Sequence, residues 1–384
     1  MHWTPLPLRA TLDAFDAQAL TLLDAWRAAD QDAIALLRHR LPRFLRTDVP
    51  WLPQRRTDAD ILQAPLDMDD ARLAIARAYD FLDWSSLAAH VAALRNPASP
   101  IARFEVAAEA VIDGDLPSLH IALRHEPALV HARSARVTCF DPPAHHATLL
   151  HYVAANGVEG YRQRTPPNAV DVARLLLEAG ADPDALADMY GGQCTTMSLL
   201  VSSDHPARAG VQVALVDLLV DHGATVDAHG TGTWTSPLMT ALAFGCTHAA
   251  DALVRRGARV DTLAAAAGLG RTDAVVRALP DAGTEDRHRA LALAAQLGHV
   301  DVVRVLLDAG ESPDRYNPPG LHAHATPLHQ AVAAGHLDVV RLLVAHGARL
   351  DMADTLYEST PLGWADYLGH ADIARLLRDA GSRG

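Results

Sequence analysis

Residues Thr326-Pro327-Leu328-His329-Gln330-Ala331 decide the fold, because the same spelling returns 34 residues later as Thr360-Pro361-Leu362. The first copy is followed by Gly335-His336, then Val339-Val340-Arg341-Leu342-Leu343-Val344, then Gly347-Ala348. The second is followed by Gly369-His370, Ile373-Ala374-Arg375-Leu376-Leu377 and Gly381. Each part has a mechanical job. Thr caps a helix, and Pro fits the first turn, where an N–H has no partner to lose. Leu328, Ala331, Val332 and Ala333 make a short first helix, and Gly335 accepts the left-handed backbone that ends it. Val339 to Val344 form a second helix whose apolar face is too wide to stand alone in water. Gly347 stops it. Only another such pair can cover the exposed face, so the spelling predicts stacking into an elongated form.

The unit resembles the ankyrin repeat, whose T-P-L-H-x-A signature recurs about every 33 residues. Reading outward gives about eight copies. The first runs from about Arg103 to Ser134. The second opens at Thr148-Leu149-Leu150-His151 and closes at Gly180-Ala181-Asp182. The third opens near Thr196 and closes at Gly223-Ala224. The fourth has Ser236-Pro237-Leu238, Gly245 and Gly257-Ala258. The fifth is degenerate (Ala264 to Ala267, Gly270, Val275-Val276, Gly283), and the sixth has Leu291 to Ala295, Gly298-His299 and Gly310. The resemblance implies an all-α class, an ankyrin-repeat α-solenoid with β-hairpin or loop fingers over residues 101–384. A small helical N-terminal module, residues 1–97, precedes it and caps one end of the stack. Within the module Leu20–Ala29, Asp32–Leu45, Asp69–Ala78 and Asp83–Leu94 read as helices, with a polar, Pro-bearing connector from Asp48 to Pro65. The run from Asp70 to Leu87 resembles a helical segment that often precedes ankyrin repeats in bacterial proteins. Phe81, Trp84 and Leu87 are assigned to packing.

Composition narrows the function. The 384-residue chain is 49% hydrophobic and carries a formal net charge of −13. That argues against nucleic acid, which needs clustered positive charge. There is no lysine, which excludes a lysine Schiff base and a P-loop lysine. Cys139, Cys194 and Cys246 are too scattered for a disulfide framework or a C-x-x-C metal site. Met1 to Ala19 lacks a basic stretch followed by an apolar run, and no segment reads as a membrane span. A cytoplasmic, monomeric protein is the expectation. No G-x-S-x-G, H-E-x-x-H or Walker sequence appears, so no catalytic residues and no cofactor are expected.

Departures from the repeat are where function is sought. Gly157 to Ala169 inserts about a dozen residues between the two helices of repeat 2, including Tyr161, Arg162 and Arg164. It reads as a tolerated surface loop, like the shorter insertion at Asp204 to Gly210. The fingers at Gly257–Asp261 and Gly283–Arg289 are short, which predicts a notch at repeat 5 floored by Ala264 to Gly268 and walled by the Trp234 and Tyr316 fingers. The longer fingers carry Phe140, Tyr190, Trp234, Tyr316 and Tyr357. Rings held on turns suit partner recognition, since they offer large contact area at low entropy cost.

Of the 21 histidines, His151 and His329 occupy the T-P-L-H position and His299, His336 and His370 the Gly-His position. The resemblance implies that the former bridge neighbouring loops, more weakly where Met239 and Gly363 replace them. His145, His146, His322 and His324 are not repeat positions. His322-x-His324 offers two ligands on one face of a strand, one short of the three protein ligands of a catalytic zinc site, so no metal is expected. The expected function is a non-enzymatic scaffold binding an unidentified protein through Phe140, Tyr190, Trp234, Tyr316, His322, His324 and Tyr357. The alternatives are an enzyme or small-ligand receptor at the notch, and an immunity or effector protein of bacterial competition.

Overall fold

The computed structural model describes residues 3–227, 230–231 and 236–381. Its internal contacts divide the chain into two compact units, Met1–Ala224 and Thr225–Gly384. Among the described residues eight successive helix pairs lie between Pro100 and Gly381.

The N-terminal unit opens with helices Leu12–Arg27, Gln31–Arg40, Asp58–Leu62, Met68–Ala78 and Trp84–Leu94. The first begins eight residues before the expected Leu20, because Thr11 accepts the Ala14 N–H and caps it there. Phe15, Ala19, Leu22 and Leu23 then bury one face at helical spacing. The connector from Asp48 to Pro65 is not wholly irregular. A capping box between Thr57 and Asp60 starts the short helix at Asp58. Phe81 and Leu87 are buried in the core with Leu22, Ile34, Ile75 and Tyr79.

Three helix pairs follow: Pro100–Asp113 with Leu116–His125, Leu149–Val153 with Ala169–Glu178, and Thr196–Leu200 with Gln212–Asp221. First helices pack on first helices and second on second. The finger between repeats 2 and 3 is a β-hairpin, with Leu186–Met189 antiparallel to Gly192–Thr195. Its two-residue turn, Tyr190-Gly191, takes the positive φ angles of 56° and 74° that let a tight hairpin follow the strands' twist.

In the C-terminal unit the pairs are Pro237–Ala243 with Thr247–Arg255, Leu263–Gly268 with Thr272–Ala278, Thr284–Leu297 with Val300–Asp308, Pro327–Ala333 with Leu337–Ala345, and Pro361–Leu368 with Ala371–Gly381. One continuous core runs from Leu263 through Leu291, Val303, Leu328 and Val340 to Leu377. The short finger read at Gly283–Arg289 is not a finger. Thr284 to Arg289 is the start of a 14-residue first helix. Glu285 and Asp286 in its first turn complement the helix dipole. Longer than its neighbours, this helix sends Gln296 past repeat 5 to donate to the Ala243 carbonyl of repeat 4 (2.7 Å). Ala264 to Gly268, the expected floor of a notch, are buried.

Histidines tie layer to layer. In repeat 7 the Thr326 N–H donates to His329 Nδ1 (3.3 Å), so Nε2 carries the proton and donates to the Ser359 carbonyl of the next finger (3.1 Å). His151 does the same from repeat 2, with Nδ1 accepting from Thr148 (3.1 Å) and Nε2 on the Cys194 carbonyl (3.4 Å). At the Gly-His position, His336 Nε2 donates to the Gln296 carbonyl (3.0 Å) and His299 Nε2 to the Gly268 carbonyl (2.9 Å). These rings lie against the glycines of the preceding repeat. A Cβ at Gly298 would stand 2.7 Å from His336 Cε1. Gly298 also holds a φ of +81°. Gly298→Ala therefore meets both a left-handed backbone penalty of about 1–2 kcal/mol and a steric overlap. Urea denaturation of the variant is expected to show a loss of about 2–3 kcal/mol. Combined with His336→Ala, the loss is expected to fall short of the sum of the two, because the overlap is gone.

Buried histidines also set a pH dependence. Burial pushes His151 down to about 4. His90 is pushed down to about 4 by burial, with the Arg136 guanidinium adding to it. Unfolded histidine titrates near 6.5, so the unfolded chain takes up protons that the folded chain refuses. Stability is fully present above about pH 6.5 and is lost as pH falls toward 4. His151 alone contributes roughly 3 kcal/mol to that loss. Thermal melts from pH 7.5 to 4.5 are expected to fall steadily below pH 6.5, less steeply in His151→Gln.

Candidate partner-binding surface

The finger between repeats 7 and 8 is organised by one carboxylate. Asp354 is buried and accepts from the N–H groups of Leu356 (2.9 Å), Tyr357 (2.6 Å) and Ser359 (3.0 Å), and from Trp364 Nε1 (3.0 Å). Burial works against the charge. The three backbone N–H groups and the indole outweigh it and hold the carboxyl below its ordinary value. The chain folds this way because Asp readily bonds the backbone two and three residues on. The turn therefore closes around Asp354 and sets Tyr357 beside Trp364, ring centroids 6.4 Å apart and planes at 68°.

Two other rings join them. His324 lies 6.0 Å from Trp364 and 6.1 Å from Tyr357, and His329 lies 5.1 Å from Trp364. Burial lowers the pKa of His322, His324 and His329, so all three are neutral at pH 7. The Thr355 N–H donates to the His324 carbonyl (2.8 Å), and the Tyr316 hydroxyl to the Ala353 carbonyl (2.7 Å), which fastens this finger to the one before it. Tyr357, Trp364, Tyr367 and Leu368 wall a groove of about 550 Å³ floored by Ala333 and Gly363. Tyr367 is 90% exposed and Tyr357 50%, far beyond what packing requires.

Regular helix pairs, Thr-capped first helices and histidine bridges between successive fingers make up the recurring unit. Family comparison agrees: ankyrin repeats (3 copies) match residues 317–383, and the ankyrin repeat matches 145–188 and 287–318. The chain contains ankyrin repeats. No curated protein matches it.

The ankyrin fingers hold the remaining expected residues in different ways. Tyr316, His322, His324 and Tyr357 come together on the two fingers just described, with His322 6.1 Å from His324 and against the Ala243 carbonyl. Phe140 and Tyr190 belong to the N-terminal unit. Phe140 stacks on His145 at 5.8 Å, and the Tyr190 hydroxyl donates to Asn156 Oδ1 (2.7 Å). Their fingers are joined by the Asp188 N–H on the His145 carbonyl (2.8 Å). Trp234 lies outside the described residues. Trp364, Tyr367 and Asp354 were not singled out in the sequence. Among the described residues no three His, Cys, Asp or Glu side chains gather as a metal would need, and no helix is long and apolar enough to cross a membrane.

The insertion in the second ankyrin repeat is not the surface loop that its sequence suggested. Glu159, Tyr161 and Arg162 turn inward and complete a sealed charge cluster. Arg162 reaches Glu105 (2.7 Å), Glu109 (3.1 Å) and Glu159 (3.5 Å); Arg136 reaches Glu105 (3.1 Å), Glu159 (3.4 Å) and the Tyr161 hydroxyl (2.9 Å). Glu105, Arg136, Glu159 and Arg162 each expose no more than 4% of the side chain. Burial, the largest effect on Glu105, raises its pKa. Arg136 and Arg162 outweigh it and leave the carboxyl well below its usual range. The space beside Arg136, Tyr152 and Glu159 does not admit a water molecule. Two carboxylates and two guanidiniums balance, so the cluster holds the insertion down. Removing one member strands an opposite charge. Glu105→Gln is expected to cost about 3–5 kcal/mol in chemical denaturation, whereas exposed Asp204→Asn in the neighbouring insertion changes stability by less than about 1 kcal/mol.

Proposed function

We propose that the protein is a non-enzymatic interaction scaffold, cytoplasmic and monomeric, that holds a partner protein on the ring-lined surface of repeats 7 and 8. Ankyrin repeats generally mediate protein–protein interaction, which sets the class. The observation that carries the finer reading is the concentration of exposed aromatic surface around the groove at Tyr357, Trp364 and Tyr367. Large rings that remain in water cost solvation free energy unless a partner covers them, and Tyr and Trp dominate the energetic centres of interfaces. Preorganisation supports the same reading. Asp354 fixes the finger before any partner arrives, so little entropy remains to be lost on binding.

The receptor alternative at repeat 5 has no comparable support, since Ala264 to Gly268 are covered and Gln296 spans the repeat. Affinity capture from the native cell followed by mass spectrometry identifies the partner. Tyr357→Ala with Tyr367→Ala is expected to weaken the captured interaction by about 2 kcal/mol or more, roughly thirtyfold. Unchanged capture by the double variant would place the contact surface elsewhere on the protein.

A further inference from the structure

We propose that the groove of repeat 8 receives an arginine side chain carried by the partner protein. The inference rests on the docking reading above and names the chemistry of what docks. Four observations carry it.

The walls come first. Tyr357 and Trp364 stand at 68° to each other, with Tyr367 beside them. Two such faces surround a planar cation better than one. The indole is also electronically primed. Its Nε1–H donates to the Asp354 carboxylate (3.0 Å), and a donor bonded to an anion pushes electron density into the ring. A denser ring face attracts a cation more strongly.

Charge comes second. From Leu350 to Leu368 the chain carries Asp351, Asp354, Glu358 and Asp366 and no basic residue. Arg349 pairs with Asp351, and Arg378 with Asp366. The whole chain is at −13. The surface around the groove therefore complements a positive group and disfavours a negative one.

The third observation is the chain's own habit. Arg136 lies 4.7 Å from the centroid of Phe81 while bonded to Glu105, and Arg162 lies 5.3 Å from the centroid of Tyr152 while bonded to the same carboxylate. Ring, carboxylate and guanidinium form a complete set there. At repeat 8 the rings are in place, and Asp354, buried beneath its four donors, acts on them through the indole N–H rather than by direct contact; among the described residues no guanidinium lies over Trp364.

The last observation selects arginine over lysine. The groove is mostly apolar, walled by Leu368 and floored by Ala333. A guanidinium is weakly hydrated and stacks flat on aromatic faces, while an ammonium gives up its water less readily. The three-carbon stem of arginine packs on Leu368 as the head reaches the rings.

The test uses the full chain and three blocked peptides, acetyl-Gly-Xaa-Gly-amide with arginine, citrulline or leucine at the centre. Citrulline keeps the shape of arginine and removes the charge. The readout is the Trp364 indole N–H resonance, assigned by its disappearance in Trp364→Phe. The arginine peptide is expected to shift it saturably. The citrulline peptide should bind about tenfold more weakly, the worth of one desolvated cation–π contact. Tyr367→Ala is expected to weaken the arginine peptide severalfold with the melting temperature unchanged, because that ring is almost wholly in water. Equal or tighter binding of citrulline or leucine overturns the cationic occupant while leaving a docking surface in place. Concentration-dependent broadening without peptide makes a second copy of the chain the occupant and overturns it as well. An indole resonance that the arginine peptide does not move overturns the inference. The docking reading is then judged by the capture experiment alone.

Discussion

A helix of five residues cannot hold itself together in water, and this chain contains several. Leu149–Val153 and Thr196–Leu200 are each barely more than a turn. Isolated helices below about 12 residues are marginal, because the first turn fixes three residues for one hydrogen bond. They persist because each is roofed and floored by the next layer. Every side chain in those two helices is buried. Lateral coverage is thus the constraint on which everything else depends. The caps, the left-handed glycines and the histidine bridges serve it by fixing where each layer begins, turns and meets its neighbour.

The bridges show how much chemistry that coverage uses. An imidazole with Nδ1 accepting and Nε2 donating satisfies a backbone N–H on its own finger and a carbonyl on the next. Only the neutral ring has that pair of functions. Repeat 8 departs from the pattern, with Gly363 at the histidine position. A Cβ there would stand 2.3 Å from the Ser359 hydroxyl. Trp364, the next residue, packs against His329 instead and takes its second partner from Asp354.

Much of the fold was legible in the sequence because its signals are local. Thr-Pro starts, glycine stops and apolar runs at a fixed period need no knowledge of distant residues. The misreading of the insertion has the opposite cause. Whether Arg162 faces water depends on Glu105, 57 residues earlier, and a loop rich in charge spells solvent until that partner is known. Thr284-Glu285-Asp286 is a helix start in its own right, a local signal that the reading of Gly283–Arg289 as a short finger passed over. At the candidate surface, Tyr316 and Tyr357 stood out because turns seldom bury rings, and His324 because it falls outside the repeat positions. Trp364 and Tyr367 did not, because a ring inside a helix ordinarily signals core. Asp354 was hidden among the many turn aspartates, and only its four donors set it apart.

The sealed charge cluster has a consequence for how this protein can change over time. Repeat arrays usually gain and lose units by duplication, since one layer is much like another. The second layer here is not interchangeable. Its inserted arm carries half of a neutral quartet whose other half is Glu105 of repeat 1 and Arg136 of the finger that follows it. Tyr161 on the same arm meets Tyr79 of the N-terminal helices edge to face at 5.2 Å. Excising or copying that layer alone would leave ionised groups without counter-charges in a dry interior. Removing or copying that layer alone would therefore carry the cost of unpaired buried charge, which a layer held only by apolar coverage does not.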